Sequence, residues 1–158
     1  MQPRLNFHQA SPAAMKAMLG LGAAIADTTL EHSLLELVKM RASQINGCAY
    51  CLDMHSKDAR AAGETEQRLY LLDAWEETDF YTPRERAALA WTEALTLISQ
   101  THAPDAVYEE LRAHFSEREI ADLTLAIVTI NGWNRIAIGL RSQAGTYQPA
   151  KARRAASA

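Results

Sequence analysis

Apolar residues return every three or four positions over most of the chain, the period of helices with one buried face. Ala14, Met15, Met18, Leu19, Leu21, Ala24 and Ile25 keep that rhythm, and Ser11-Pro12 ahead of them supplies a cap residue and a first-turn proline. A helix is therefore expected over 12–26, with Gly20 and Gly22 either weakening it or admitting a close neighbour. Leu34, Leu35, Val38, Met40, Ala42 and Ile45 predict a second helix from Glu31 to Ile45, stopped by Asn46-Gly47. A third starts at about Cys48 and runs to Ala62, where Gly63 suits the left-handed conformation that closes helices.

Further along, Leu69, Leu72 and Trp75 place a helix over 65–76, and Thr82-Pro83-Arg84-Glu85 combines a cap, a first-turn proline and a capping-box glutamate. These residues open a helix over 83–100. Pro104 followed by Val107, Leu111 and Phe115 predicts a short helix, and Ser116 with Glu119 makes a second capping box for a long last helix over 117–142. Residues 1–10 show no periodicity, and nowhere do polar and apolar residues alternate as in a strand. The expected fold class is all-α.

The length of 158 residues, with 48% hydrophobic and 22% charged content, suits a single domain over 1–150 followed by a disordered tail over 151–158. Net charge is −3, so the three basic residues of the tail, Lys151, Arg153 and Arg154, read as a solvated terminus and not as a nucleic-acid surface. The N-terminus lacks the succession of a signal peptide, and no apolar run approaches the ~20 residues needed to span a bilayer. Cytoplasmic location without a membrane partner is the expectation.

Only two cysteines occur, Cys48 and Cys51, too close in sequence to staple distant parts of a fold. Such a pair is more often redox-active or metal-binding. Cys48, Cys51 and His55 stand at i, i+3 and i+7 and share one helix face, while Glu36 precedes the turn at Asn46-Gly47 by about as many residues as His55 follows it. If the two helices fold back on each other, the glutamate faces the histidine and orients the imidazole as a proton acceptor. The start of a helix favours thiolate over thiol, and a neighbouring thiol traps an oxidised sulfur as a disulfide before it oxidises further.

Two other readings of these residues stay open. A zinc site would take both sulfurs, His55 and either Glu36 or His32; a structural reading would make the cysteines small buried residues and His55 a satisfied core histidine. His8, His32, His102 and His114 otherwise read as surface or capping residues. Tyr50 is either a wall of the site or a packing aromatic, and Trp133-Asn134-Arg135, which interrupts the apolar last helix, reads as an internal ion pair or an oligomer contact.

Glu36, Cys48-Ala-Tyr-Cys51 and His55 in this order and spacing resemble the AhpD-like alkylhydroperoxidases of the carboxymuconolactone decarboxylase-type superfamily. The resemblance is strongest over residues 31–63, and Ile130-Asn131-Gly132-Trp133-Asn134-Arg135 resembles the later helix of small members. It implies an all-helical fold around a helical hairpin, assembled as a homotrimer or hexamer. It implies a peroxidase acting on organic hydroperoxides, with Cys51 forming a sulfenic acid, Cys48 acting as resolving thiol and proton donor, and Glu36 and His55 serving as the proton relay. No bound cofactor is implied. The disulfide would be reduced by an external dithiol, such as a lipoyl group on a partner protein. The family's prototype carries a histidine immediately before the second cysteine, where this chain has Tyr50; at neutral pH this removes one proton shuttle. A dithiol–disulfide oxidoreductase or redox sensor is the nearest rival. The lactone-handling branch of the superfamily, for which the cysteines would be unnecessary, and a non-catalytic binding protein are the others.

Overall fold

A computed structural model describes residues 2–149 of the chain. The tail expected over 151–158 lies outside the described residues. Among the described residues every regular element is helical: α1 (Phe7–Ala10), α2 (Pro12–Ala26), α3 (His32–Asn46), α4 (Ala49–Ala61), α5 (Glu66–Leu71), a 3-10 turn (Leu72–Glu77), α6 (Pro83–Thr96), α7 (Ile98–Thr101), α8 (Asp105–His114) and α9 (Glu117–Leu140).

The capping boxes at Thr82/Glu85 and Ser116/Glu119 form as their spacing predicts, and each satisfies two helix-end donors reciprocally. Ser11 is the N-cap residue of α2, but its side chain makes no capping bond. Three elements depart from the periodicity. Residues 65–76 do not make one helix, because α5 passes into a 3-10 turn that Ala74 kinks. The expected helix over 83–100 breaks at Leu97, whose ψ of 32° is non-helical, leaving α7 separate. Asn6, accepting from the backbone N–H of Gln9, caps the short α1 within a stretch that shows no periodicity.

Helix α3 occupies the centre. Its Leu34, Leu35 and Val38 join α6, α8 and α9 in one core, its Leu37 and Met40 meet α4, α5 and α6 in a second, and Ala42 meets the cysteines and α9 in a third. A helix enclosed on several sides must bury its polar residues too, and Glu36 and Ser43, two turns apart on one face, are both buried. Gly47 then turns the chain with φ of 66°, so α4 returns antiparallel along α3. A side chain there would cost about 1–2 kcal/mol of left-handed strain.

Helix α9 corrects the expectation that no apolar stretch is long enough to span a bilayer. An 18-residue window within its 24 residues reaches a mean hydropathy of 1.3, which meets the length and composition of a membrane span. Packing accounts for that composition: α9 lies against α2, α3, α4, α6 and α8 and buries Ile120, Leu123, Ile127 and Ile130. Outward from this core, α2 and α9 leave Leu19, Leu21, Val128 and Ile138 exposed.

Candidate active site

Cys48 is the N-cap residue of α4, and Cys51 lies three residues on, in the first turn. Both thiols are free, each is 1% exposed, and their Sγ atoms stand 2.7 Å apart. Two sulfurs this close ionise as a pair. Cys48 is held down to about 7, foremost because the Cys51 thiol donates to it; burial opposes this, and the backbone N–H of Cys51, the Asn134 side chain and the backbone N–H of Tyr50 add to it. Cys51 is pushed up, first by its hydrogen bond to Cys48, then by burial and by the charge of Cys48. Of the two sulfurs, Cys48 is therefore the one that ionises first, and Cys51 the one that keeps its proton.

Glu36 and His55 meet across the hairpin, with Nδ1 of His55 2.9 Å from Oε2 of Glu36. The other carboxylate oxygen accepts from Lys39 Nζ at 2.8 Å, and His32 Nε2 lies 3.9 Å from it. Burial alone would raise the Glu36 pKa, but the hydrogen bond and charge of His55, then those of Lys39, outweigh it and bring the group down to about 2. An ionised carboxylate only accepts, so Nδ1 must carry a hydrogen and Nε2 is the nitrogen free to take a proton. His55 follows Cys51 by one helical turn, on the face that carries the sulfurs.

Two side chains at the sulfurs were not identified from sequence. Asn134 of α9 is fully buried. Its Nδ2 donates to Ser43 Oγ at 3.0 Å, and its Oδ1 accepts from Asn46 Nδ2 at 2.9 Å. Asn134 also favours the thiolate form of both cysteines, and Ser43 that of Cys51. The polar interruption Trp133-Asn134-Arg135 is therefore not an internal ion pair: Arg135 donates to the backbone and side-chain oxygens of Asn131, and Asn134 turns inward to the sulfurs. The signal was a polar residue in the middle of an apolar helix; its partners, on α3 and α4, could not be read from α9 alone. Asn134→Leu is expected to raise the Cys48 pKa above about 7 by removing that donor, as read from the pH dependence of iodoacetamide alkylation; an unchanged profile in a folded variant would refute it.

Tyr50 and Trp133, both half-buried, pack against the group formed by Cys48, Cys51, Ala42, Ile130 and Ala137. The sulfurs are thus packed among apolar residues on one side, with two aromatic side chains against that group, and meet Asn134 and Ser43 on the other. A cavity of about 280 Å³ opens on the other side of Glu36, between Ala59, Gly63, Arg68 and Glu85, and touches neither cysteine nor Tyr50.

Glu36, His55 and Asp58 offer three donor atoms within 4.8 Å of one another. This group suits a dication poorly, because the Lys39 ammonium already sits on Glu36 and the Tyr147 hydroxyl donates to both Asp58 oxygens, at 2.8 and 2.9 Å. Neither cysteine belongs to it. The zinc set that the spacing left open, two sulfurs with His55 and Glu36 or His32, is not assembled.

The sequence model of the carboxymuconolactone decarboxylase family matches residues 12–94, which include the hairpin and all four of these residues. The chain belongs to that family. An uncharacterized protein of Bacillus subtilis (strain 168), YdfG, is 44% identical over 146 residues, covering 92% of this chain and 99% of that one. A crystal structure from Agrobacterium tumefaciens, a protein of unknown function suggested to be the antioxidant defence protein AhpD, is 49% identical with a TM-score of 0.89, over 92% of this chain and 100% of that one. The debrominase Bmp8 is 25% identical with a TM-score of 0.76, over 87% of this chain and 74% of its own. The fold is AhpD-like, and proteins that share it include enzymes.

Proposed function

We propose that this protein is a thiol-dependent peroxidase that reduces organic hydroperoxides. The observation that carries the reading is the buried sulfur pair, 2.7 Å apart, beside a buried Glu36–His55 pair. The proton leaves Cys51 for the Cys48 thiolate or for Nε2 of His55. The Cys51 thiolate then attacks the terminal peroxide oxygen, the O–O bond breaks, and the departing alkoxide takes a proton from Cys48 or His55 and leaves as alcohol. Cys51 is now a sulfenic acid. Cys48 returns to thiolate and attacks the Cys51 sulfur, forming the disulfide as hydroxide leaves and is protonated to water. Two thiols have lost two electrons and the peroxide has gained them.

A group titrating at about 7 both gives and takes a proton readily at neutral pH, which suits Cys48 to the donor and resolving roles. The apolar residues on one side of the sulfurs and the rings of Tyr50 and Trp133 favour an alkyl or aryl hydroperoxide over hydrogen peroxide. Reduction of the disulfide falls to an external dithiol, such as a lipoyl group on a partner protein. The exposed apolar side chains of α2 and α9 support assembly into a trimer or hexamer, which light scattering of the purified chain would measure.

The test is stopped-flow oxidation of the reduced protein by cumene hydroperoxide, with mass spectrometry to place the product. Rapid formation of one Cys48–Cys51 disulfide per chain is expected. Inertness to peroxide with prompt oxidation by a small disulfide would instead identify a dithiol–disulfide exchange protein.

A further inference from the structure

Residues after α9 turn back over α4 and are tied to its outer side. Gly145 N donates to Asp53 Oδ2 at 2.9 Å, Lys57 Nζ donates to the Tyr147 carbonyl at 3.1 Å, and the Tyr147 hydroxyl donates to both oxygens of Asp58. Asp58 follows His55 by three residues, so it shares that flank of the helix, and one of its oxygens lies within 4.8 Å of a His55 ring nitrogen and of a Glu36 oxygen. The half-buried Asp58 and Tyr147 contrast with the buried Glu36 and His55. They lie nearer the surface than the imidazole does.

We infer that Asp58, held in place by Tyr147, is a second positioning carboxylate for His55, and that the C-terminal segment thereby sets how strongly His55 acts as a base. The inference rests on the proton relay of the proposed function. When Nε2 takes the proton from the sulfur pair, the ring becomes a cation, and two carboxylates rather than one then face it. The charged and titratable groups around the ring are named on each side. Helix α3 presents Glu36, with Lys39 and His32 on its far oxygen; α4 presents Cys51 and Asp58; the C-terminal segment presents Tyr147, beside Lys57; and α9 presents Asn134, which is uncharged. Lys39 offsets Glu36, whereas Lys57 is paired with Asp53, 2.8 Å away, and leaves Asp58 to the Tyr147 hydroxyl.

The test compares the wild-type chain with Asp58→Asn, Asp58→Glu and Tyr147→Phe. The rate of disulfide formation is followed against pH with two oxidants, cumene hydroperoxide and 4,4′-dithiodipyridine. Removing one carboxylate charge makes the protonated ring less favourable. Asp58→Asn should therefore lower the plateau about tenfold and move the acid limb about half a pH unit toward acid, while Asp58→Glu restores the limb. Tyr147→Phe keeps the charge and loosens its placement, so it should slow the reaction about threefold without moving the limb. A purely structural role would lower rates and leave the limb in place; an unmoved limb in folded Asp58→Asn overturns the inference. Should that variant not fold, full activity in Tyr147→Phe overturns it. A wild type that ignores peroxide while dithiodipyridine shows the shift sinks the peroxidase reading and leaves the inference standing. Rapid peroxide oxidation with unmoved limbs does the reverse.

Discussion

Cys51→Ser should abolish disulfide formation and bring hydroperoxide consumption down to the uncatalysed background. A serine hydroxyl at this position is not ionised near neutral pH and cannot form a sulfenic acid, so nothing remains for Cys48 to resolve. Cys48→Ser should behave differently. It keeps the attacking sulfur and loses its partner, so one equivalent of peroxide is consumed and a sulfenic acid accumulates on Cys51, where dimedone traps it. The comparison is informative because Cys48, at the helix cap, is the more readily ionised sulfur and Cys51 the one that keeps its proton. Attack by Cys51 requires that proton to cross to its neighbour, 2.7 Å away, or to reach His55 first. If Cys51→Ser instead collects a sulfenic acid on Cys48, the two sulfurs exchange roles and the more readily ionised sulfur is itself the nucleophile. Loss of reaction in both variants, with intact helical signal, would mean that neither sulfur attacks unaided and that the pair acts only as a unit.

The hairpin was legible because its information is local. Gly47 marks the turn, and the helical rise then brings Glu36 level with His55 by arithmetic on residue number alone. Capping boxes are read as easily, since both partners lie within four residues of each other. The environment of the sulfurs is different in kind. Asn134 reaches them from α9, and only the crossing of α9 over α3 and α4 determines that it points inward. The same crossing explains why α9 is apolar enough to resemble a membrane span: it is flanked by several helices, so no polar stripe is required along most of its length. Asp58 escaped notice for a similar reason, because its partner Tyr147 belongs to a segment without periodicity.

Glu36→Gln should slow disulfide formation about a hundredfold and also reshape how stability depends on pH. The first effect follows from the imidazole. Glutamine fills the same space and still accepts from Nδ1, but it carries no charge to favour the protonated ring, so His55 accepts the sulfur proton less readily. The second follows from the carboxylate itself, whose pKa is about 2 in the folded chain against an ordinary value of 4.5. A group depressed by folding contributes stability that is complete above its unfolded pKa and is lost as pH falls through its folded one. For Glu36 that window runs from about 4.5 down to about 2, and the full contribution is at most about 3 kcal/mol. Urea unfolding at neutral pH should therefore show Glu36→Gln less stable by a similar amount, with the two proteins converging as pH approaches 2. Other acid-sensitive carboxylates, Glu119 foremost, are common to both and drop out of the difference. A stability gap that stays constant across that range would show that the variant suffers from altered packing, and that the charge of Glu36 is not what holds the pair.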